Sequence, residues 1–269
     1  MARLLIHGDP HYEVSSKAAS NVDIADVHMQ LAELAFDQEV DAVINLGDTC
    51  DNNHPRPQTI ASIISVNLLL AEEGVISINL VGNHDISTKH SHALTPLVGL
   101  HENVVVVEKP SLLSVCECDI IVLPYITRQQ VVKWTMRRSA RIMQGRTGSD
   151  KQTIRKALSR LHNPQAYLDA KAQKLIDKTT EGVLAVGHLD IHGARAGSEE
   201  MMLRGGKLNL PDCIRNSDKP VAYVGGHIHQ PQIIRTKPWP IVTVGSLIHT
   251  DFSERHETKG VIILELDDV

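Results

Sequence analysis

Five short polar motifs, each placed at the end of an apolar run, constrain this chain more than any other feature of its sequence. They are Asp9-Pro10-His11, Gly47-Asp48, Gly82-Asn83-His84-Asp85, Gly187-His188 and Gly226-His227-Ile228-His229. Because the carboxyl ends of parallel strands share one edge of a sheet, motifs that follow strands can converge there although they are distant in sequence. We therefore expect a functional site at that edge.

Apolar runs alternate with helical patterns over most of the chain, which favours an α/β fold. The run of four valines at 104–107 is fully apolar, so we expect it to be a central strand. The segments 112–115 and 119–123 are expected to form a hairpin around Glu117. The other predicted strands are 4–7, 42–46, 75–81, 183–186, 221–224, 233–235, 241–244 and 261–266, and the predicted helices are 23–36, 57–73 and two or three within 127–180.

The chain has 269 residues without a linker or repeat, so residues 1–269 are expected to form a single domain. A helical basic segment at about 127–181 stands out, because it holds ten basic residues between Thr127 and Arg160 against the single acid Asp150. Such a patch on a chain of net charge −5 is typical of a phosphate-rich partner, and a solvated helical face is the alternative. No apolar run is long enough to span a membrane, which indicates a cytoplasmic protein without a membrane partner.

The motifs supply the ligands of paired divalent metal ions. Their imidazoles, carboxylates and amide suit hard-to-borderline cations, and the four cysteines lack zinc-type spacing. Pro10 is expected to fix a bend that lets Asp9 and His11 bind one ion. The two oxygens of Asp48 suit a bridge between two ions. Paired metals of this kind hydrolyse phosphate esters.

The remaining motif residues are assigned by their context. Asn83 offers a neutral oxygen ligand, and His84 can act on a substrate phosphate without binding metal. Asp85 is expected to orient an imidazole. His188 is preferred to His192 because it directly follows an apolar run.

The last motif completes the set of metal ligands. His227 and His229 would lie on the same side of an extended segment, because side chains alternate along such a segment. Each could then reach a different ion.

Together the motifs resemble the calcineurin-like metallophosphoesterase superfamily, and the C-terminal half resembles the SbcD-type DNA repair nucleases. The segments that carry the second resemblance are Gly187-His188-Leu189, Gly193-Ala194, Ser198-Glu199-Glu200, the run from Tyr223 to Gln232, Gly245-Ser246-Leu247-Ile248, Phe252-Ser253-Glu254 and Lys259-Gly260-Val261. The resemblance implies a four-layer α-β-β-α sandwich with two divalent ions, expected to be Mn²⁺.

The resemblance also implies a division of labour among the site residues. One ion would be held by Asp9, His11, Asp48 and His229. The other would be held by Asp48, Asn83, His188 and His227, with Asp48 bridging. His84 would be the catalytic residue that contacts the scissile phosphate.

A metal-dependent DNA nuclease in DNA repair, recombination or DNA-end processing is the implied function. Homodimer formation and an SbcC-like ATPase subunit are the implied partnerships. The alternative is a phosphatase or phosphodiesterase of the same superfamily that acts on nucleotides or phosphoproteins. The chain ends at Val269, so no C-terminal capping domain is expected, and the basic segment with Trp134 for stacking is expected to hold DNA.

Overall fold

The computed structural model describes residues 1–13, 23–87, 91–143, 162–195 and 207–266, together with residues 152 and 156. Two sheets lie at the centre of the described structure. Their strands are β1 (Ala2–His7), β2 (Ala42–Asn45), β3 (Ile76–Leu80), β4 (Val104–Val107), β5 (Ser111–Val115), β6 (Cys118–Leu123), β7 (Val183–His188), β8 (Pro220–Gly226), β9 (Gln232–Arg235), β10 (Ile241–Thr243) and β11 (Ile262–Leu266). The first sheet has the order β11-β1-β2-β3-β4, and the second has the order β5-β6-β7-β8-β10-β9.

Both sheets have a parallel centre. In the first sheet β1 to β4 run parallel and β11 pairs antiparallel with β1. In the second sheet β6, β7, β8 and β10 run parallel, while β5 and β9 are antiparallel to their neighbours. The parallel strands therefore direct their carboxyl ends to the same end of each sheet, where the polar motifs follow.

The sheets pack face to face between two layers of helices. Alternate side chains of one strand point to opposite faces, so Leu4 and Ile6 join the core between the sheets while Leu5 faces the helices. The second sheet behaves likewise, with Val186 in the core between the sheets and Ala185 facing its helices. This confirms the four-layer α-β-β-α sandwich.

The helices cover the outer faces of the sheets. They are α1 (Ile24–Asp37), α2 (Pro57–Glu72), α3 (Arg128–Met143), α4 (Pro164–Ile176) and the short α5 (Asp212–Arg215). The side chains of Asp23 and Asn163 cap α1 and α4 by accepting backbone N–H groups in the first turn. Among the described residues, no helix has the length and apolar character to cross a membrane.

The prediction of a central strand at 104–107 is wrong. Strand β4 lies at the edge of the first sheet, beside β3 alone. Its valines are nevertheless apolar on both faces, because Val105 and Val107 pack in the core between the sheets while Val104 and Val106 pack under α2. Strand β4 is thus covered on both faces although it lies at the edge of its sheet.

The basic segment contributes α3 and α4, and the predicted division at 145–148 lies outside the described residues. The same is true of the motif Ser198-Glu199-Glu200. Trp134 on α3 is engaged by the protein, because its ring packs against Tyr167 at 5.6 Å between centroids and the Lys109 Nζ lies 5.0 Å from it. It therefore takes part in packing, while its side chain stays partly exposed, and its stacking on a DNA base stays a prediction.

Candidate dinuclear metal centre

The predicted site residues come together where strands of the two sheets end. Asp9, Asp48 and Asn83 follow β1, β2 and β3 of the first sheet. His188 is the last residue of β7, and His227 comes directly after β8 in the second sheet. The ends of strands from both sheets thus form one site. His192, the alternative to His188 as a ligand, is exposed at the surface.

The chain is bent sharply at the site. Asp9, His11, Asp48 and His227 are non-glycine residues with φ between 47° and 76°, which is the left-handed region. Such a conformation costs about 1–3 kcal/mol per residue and persists where the surrounding structure enforces it. His227 is therefore not part of an extended segment, contrary to the prediction, and this bend helps to direct His227 and His229 to different neighbours.

One group of possible ligands consists of Asp9, His11 and His229. All three are buried, and their ligand atoms lie within 4.8 Å of one another. The Nε2 atoms of His11 and His229 are 3.0 Å apart. The Asp9 carboxylate accepts the backbone N–H of His227 at 3.0 Å, which ties the first sheet to the loop after β8.

A second group consists of Asp48, His188 and His227, again buried and with ligand atoms within 4.8 Å. The Nε2 atom of His188 lies 3.3 Å from an Asp48 carboxylate oxygen and 2.9 Å from the Asn83 amide oxygen. Its Nδ1 lies 3.0 Å from the carbonyl oxygen of Leu46, which can only accept, so this contact fixes the orientation of the ring.

His84 lies at the more exposed side of the first group. Its backbone N–H donates to Asp48 at 2.8 Å, and its Nδ1 lies 2.8 Å from the carbonyl oxygen of Asp51. The His84 and His11 rings are edge-on, with centroids 5.0 Å apart. His84, His11 and Asp51 form a third cluster of possible ligand atoms, a role for Asp51 that the sequence did not reveal.

Burial and charge shift the titration of the site in the absence of a cation. Burial raises the pKa of Asp9. Burial also acts to raise the pKa of Asp48, but the combined attraction of His188, His84 and His11, with the hydrogen bond to His188, holds it below its ordinary value. Burial and the neighbouring His188 lower the pKa of His227 to about 3. His227 is thus held neutral, which is the form that binds metal ions.

Asp85 does not orient an imidazole, contrary to the expectation. Its buried carboxylate accepts backbone N–H groups from Gly82 at 2.9 Å and Cys50 at 3.0 Å, so it ties the loop after β3 to the loop after β2. Burial and the charge of Asp48 raise the pKa of Asp85 to about 6. The carboxylate that lies beside a histidine ring is that of Glu254, with one oxygen 2.9 Å from the His229 Nδ1.

The residues present fit a pair of divalent cations. Neither ring nitrogen of His227 has a hydrogen-bond partner among the described residues, although both atoms are buried. Such groups are costly unless a ligand satisfies them. The set of imidazole, carboxylate and amide donors, without a thiolate, suits a hard-to-borderline cation. Two of the buried clusters could therefore each hold one ion.

Solved structures share this fold at low sequence identity. A dimetal phosphatase from Danio rerio has a TM-score of 0.54 at 15% identity, with 92% of this chain and 88% of that chain covered. The protein TT1561 of Thermus thermophilus has a TM-score of 0.52 at 11% identity, with coverages of 91% and 89%. Purple acid phosphatase PPD1 from yellow lupin seeds has a TM-score of 0.52 at 12% identity, with coverages of 91% and 44%.

The sequence itself matches a family model. Comparison with curated proteins gives no significant match. The model of the calcineurin-like phosphoesterases, in contrast, matches residues 2–231, which include every predicted metal ligand and His84. The chain therefore belongs to the calcineurin-like phosphoesterase family.

Proposed function

We propose that this phosphoesterase is a DNA nuclease of the SbcD type that hydrolyses phosphodiester bonds with two Mn²⁺ ions. The two ligand groups would divide as the resemblance implies. Asp9, His11 and His229 would hold one ion, and Asn83, His188 and His227 the other, with Asp48 shared. When bound, paired divalent cations supply Lewis-acid stabilisation of phosphate oxygens and make water a stronger nucleophile.

The observation that carries the DNA proposal is the position of basic helix α3 beside this site. The ring of Tyr125 lies 6.3 Å from that of His227, and α3 begins three residues later at Arg128. Arg128 and Arg137 are exposed on α3, and Lys133 is partly exposed. Its first turn contains no acidic residue. A basic surface that begins next to a phosphoesterase site matches the backbone charge of a nucleic acid.

We expect His84 to act on the leaving group. The Asp51 carbonyl can only accept, so the contact at Nδ1 requires a proton on that nitrogen. In the imidazolium form the ring still has an Nε2 proton to donate. His84 would therefore stabilise charge on the phosphate and protonate the leaving oxygen.

The decisive experiment is a time course with end-labelled linear duplex DNA and Mn²⁺. The wild type should shorten or nick the DNA, and its products would also reveal whether it acts as an exonuclease or an endonuclease. A triple variant, Arg128→Glu, Lys133→Glu and Arg137→Glu, should bind DNA more weakly and with a smaller dependence on salt. The same variant should hydrolyse a small phosphodiester at the wild-type rate.

Charge reversal at the exposed Lys237, outside α3, provides the matched control, and it should leave DNA binding near that of the wild type. Intact DNA beside efficient hydrolysis of a nucleotide or a phosphopeptide would contradict the nuclease proposal. That result would favour the alternative, a phosphatase or phosphodiesterase of the same family.

Homodimer formation and an SbcC-like ATPase partner remain proposals that rest on the sequence resemblance. Light scattering tests whether the protein forms a homodimer.

A further inference from the structure

A buried carboxylate behind the metal centre is surrounded by hydrogen-bond donors. Glu254 is 1% exposed and follows the loop after β10. One of its oxygens lies 2.9 Å from the His229 Nδ1 and 2.8 Å from the Thr250 hydroxyl. The other accepts the Thr250 backbone N–H at 3.0 Å and lies 2.9 Å from the Lys259 ammonium group. The Thr250 N–H and the Lys259 ammonium group can only donate, so they require this oxygen to accept, and the adjacent positive charge favours the ionised carboxylate.

This arrangement decides which nitrogen of His229 carries the proton. An ionised carboxylate cannot donate, so the hydrogen bond from His229 needs a proton on Nδ1. In the neutral ring the other nitrogen, Nε2, then carries the lone pair that can bind a cation. That atom is the one that faces the Nε2 of His11 at 3.0 Å.

Lys259 balances the buried charge of Glu254. Its side chain is 7% exposed, and its ammonium group also donates to the backbone carbonyl of His229 at 3.0 Å. Glu254 and Lys259 thus hold the ring and the backbone of the same histidine. A buried carboxylate without such partners would be costly.

We propose that Glu254 is a positioning residue that fixes His229 in the tautomer able to bind a cation, with Thr250 and Lys259 holding Glu254 in place. The inference rests on the proposed metal centre. Glu254, Thr250 and Lys259 all lie beyond residues 2–231, the part that matches the family model. The segment after β10 therefore completes the site from outside the matched region.

The substitution Glu254→Gln tests the proposal without changing the size of the side chain. If the amide nitrogen of the glutamine faced Lys259 and the Thr250 N–H, it would meet two groups that cannot accept. The amide nitrogen would instead turn toward His229, and the ring would have to accept at Nδ1. Its proton would then move to Nε2, where it blocks metal binding.

Two measurements follow this change, and neither uses DNA. Titration calorimetry with Mn²⁺ should show about 10- to 100-fold weaker binding of one of two ions in Glu254→Gln. Long-range ¹H–¹⁵N spectra of the metal-free protein should show His229 protonated at Nδ1 in the wild type and at Nε2 in the variant. A His229→Ala spectrum assigns the signal. Failure of the nuclease assay would leave both measurements intact.

Glu257→Gln is the matched control. Glu257 also pairs with Lys259, at 2.7 Å, so this variant removes the same charge beside the same lysine without touching His229. It should keep the wild-type tautomer and affinity. If Glu254→Gln does not fold, Thr250→Val removes one hydroxyl from the network, and it should weaken binding of the same ion by a smaller factor. Wild-type Mn²⁺ affinity and an unchanged His229 signal in the variant that folds would overturn the proposal.

Discussion

The Nε2 atoms of His11 and His229 face each other at 3.0 Å, although 218 positions separate the two residues in sequence. At this distance at most one of the two nitrogens can carry a proton, because two N–H groups would repel. A divalent cation would accept both lone pairs at once. The relationship thus explains why two buried imidazoles from opposite sheets are held so close together.

Replacement of His84 should separate catalysis from metal binding. His84→Ala removes a proposed proton donor but none of the residues in the two proposed ligand sets. We expect both Mn²⁺ ions to bind while turnover of phosphodiester falls by about 10²–10⁴-fold. Calorimetry and a rate measurement on the same sample check this. Loss of one ion in His84→Ala would contradict the assignment and would favour the cluster of His11, Asp51 and His84 as a ligand group.

Gly82 should not tolerate a side chain. A Cβ at this position would overlap the backbone nitrogen and the carboxylate of Asp48, the proposed bridging ligand. We expect Gly82→Ala to lose stability by about 1–3 kcal/mol and to bind Mn²⁺ poorly. Gly260→Ala is the control, since a Cβ there meets nothing within 4 Å among the described residues. Urea unfolding and calorimetry measure the two effects, and equal behaviour of the two variants would refute the argument.

Added Mn²⁺ should raise the melting temperature. A ligand that binds only the folded protein, at 100 times its Kd, stabilises it by about 2.7 kcal/mol. For a chain of 269 residues that corresponds to a rise of about 4–6 °C. A chelator should reverse the rise, and Asp48→Asn should reduce it. Scanning calorimetry checks the shift. An equal shift in Asp48→Asn would mean that the ions bind elsewhere.

The metal-free protein should lose stability at acidic pH because of His28. Burial lowers the pKa of His28 to about 4 from its ordinary value near 6.5, so the unfolded chain binds a proton at this residue more readily than the folded protein. The stabilisation is therefore complete above about pH 6.5 and is lost as the pH falls toward 4, and it amounts to about 3 kcal/mol.

Unfolding by urea at several pH values, with a chelator present, measures this dependence. His28→Gln should flatten it, since glutamine does not titrate and can still bond to Tyr12, the partner of the His28 Nδ1. His54 is exposed, so His54→Gln serves as the control and should keep the slope of the wild type. A slope that His28→Gln leaves unchanged would show that other groups dominate.

Much of the fold could be predicted because the spacing of apolar residues along the sequence shows which side chains of a strand or helix are buried. Alternating apolar runs and helices revealed the α/β class, and the hairpin between β5 and β6 was marked by its polar turn at Glu117. The position of β4 could not be predicted in this way. A strand covered on both faces is apolar whether or not it has two neighbours, so the sequence of Val104–Val107 does not distinguish an edge from a centre.

The part of the candidate site that lies in short motifs after strands could be predicted from the sequence. All seven proposed ligands and His84 lie together, because each motif follows a strand end. Asp51 and Glu254 were missed for a different reason. Glu254 lies 25 positions from His229 and has no local pattern that links them. Asp51 offers its carboxylate to the cluster with His11 and His84, and it lies three residues after the Gly47-Asp48 motif, outside any motif.

The proposed metal ligands come from both sheets, so the affinity for metal ions depends on how well the two sheets pack against each other. Asp9, Asp48 and Asn83 follow strands of the first sheet, while His188 ends a strand of the second sheet and His227 and His229 follow another. A bound pair of cations would therefore act as a removable cross-link between the two sheets. Thermodynamic linkage then requires that a change which populates a form with the sheets apart also weakens the apparent binding of ions, however far the change lies from the site. A conservative substitution in the core between the sheets could therefore appear in an assay as a catalytic defect that excess metal repairs.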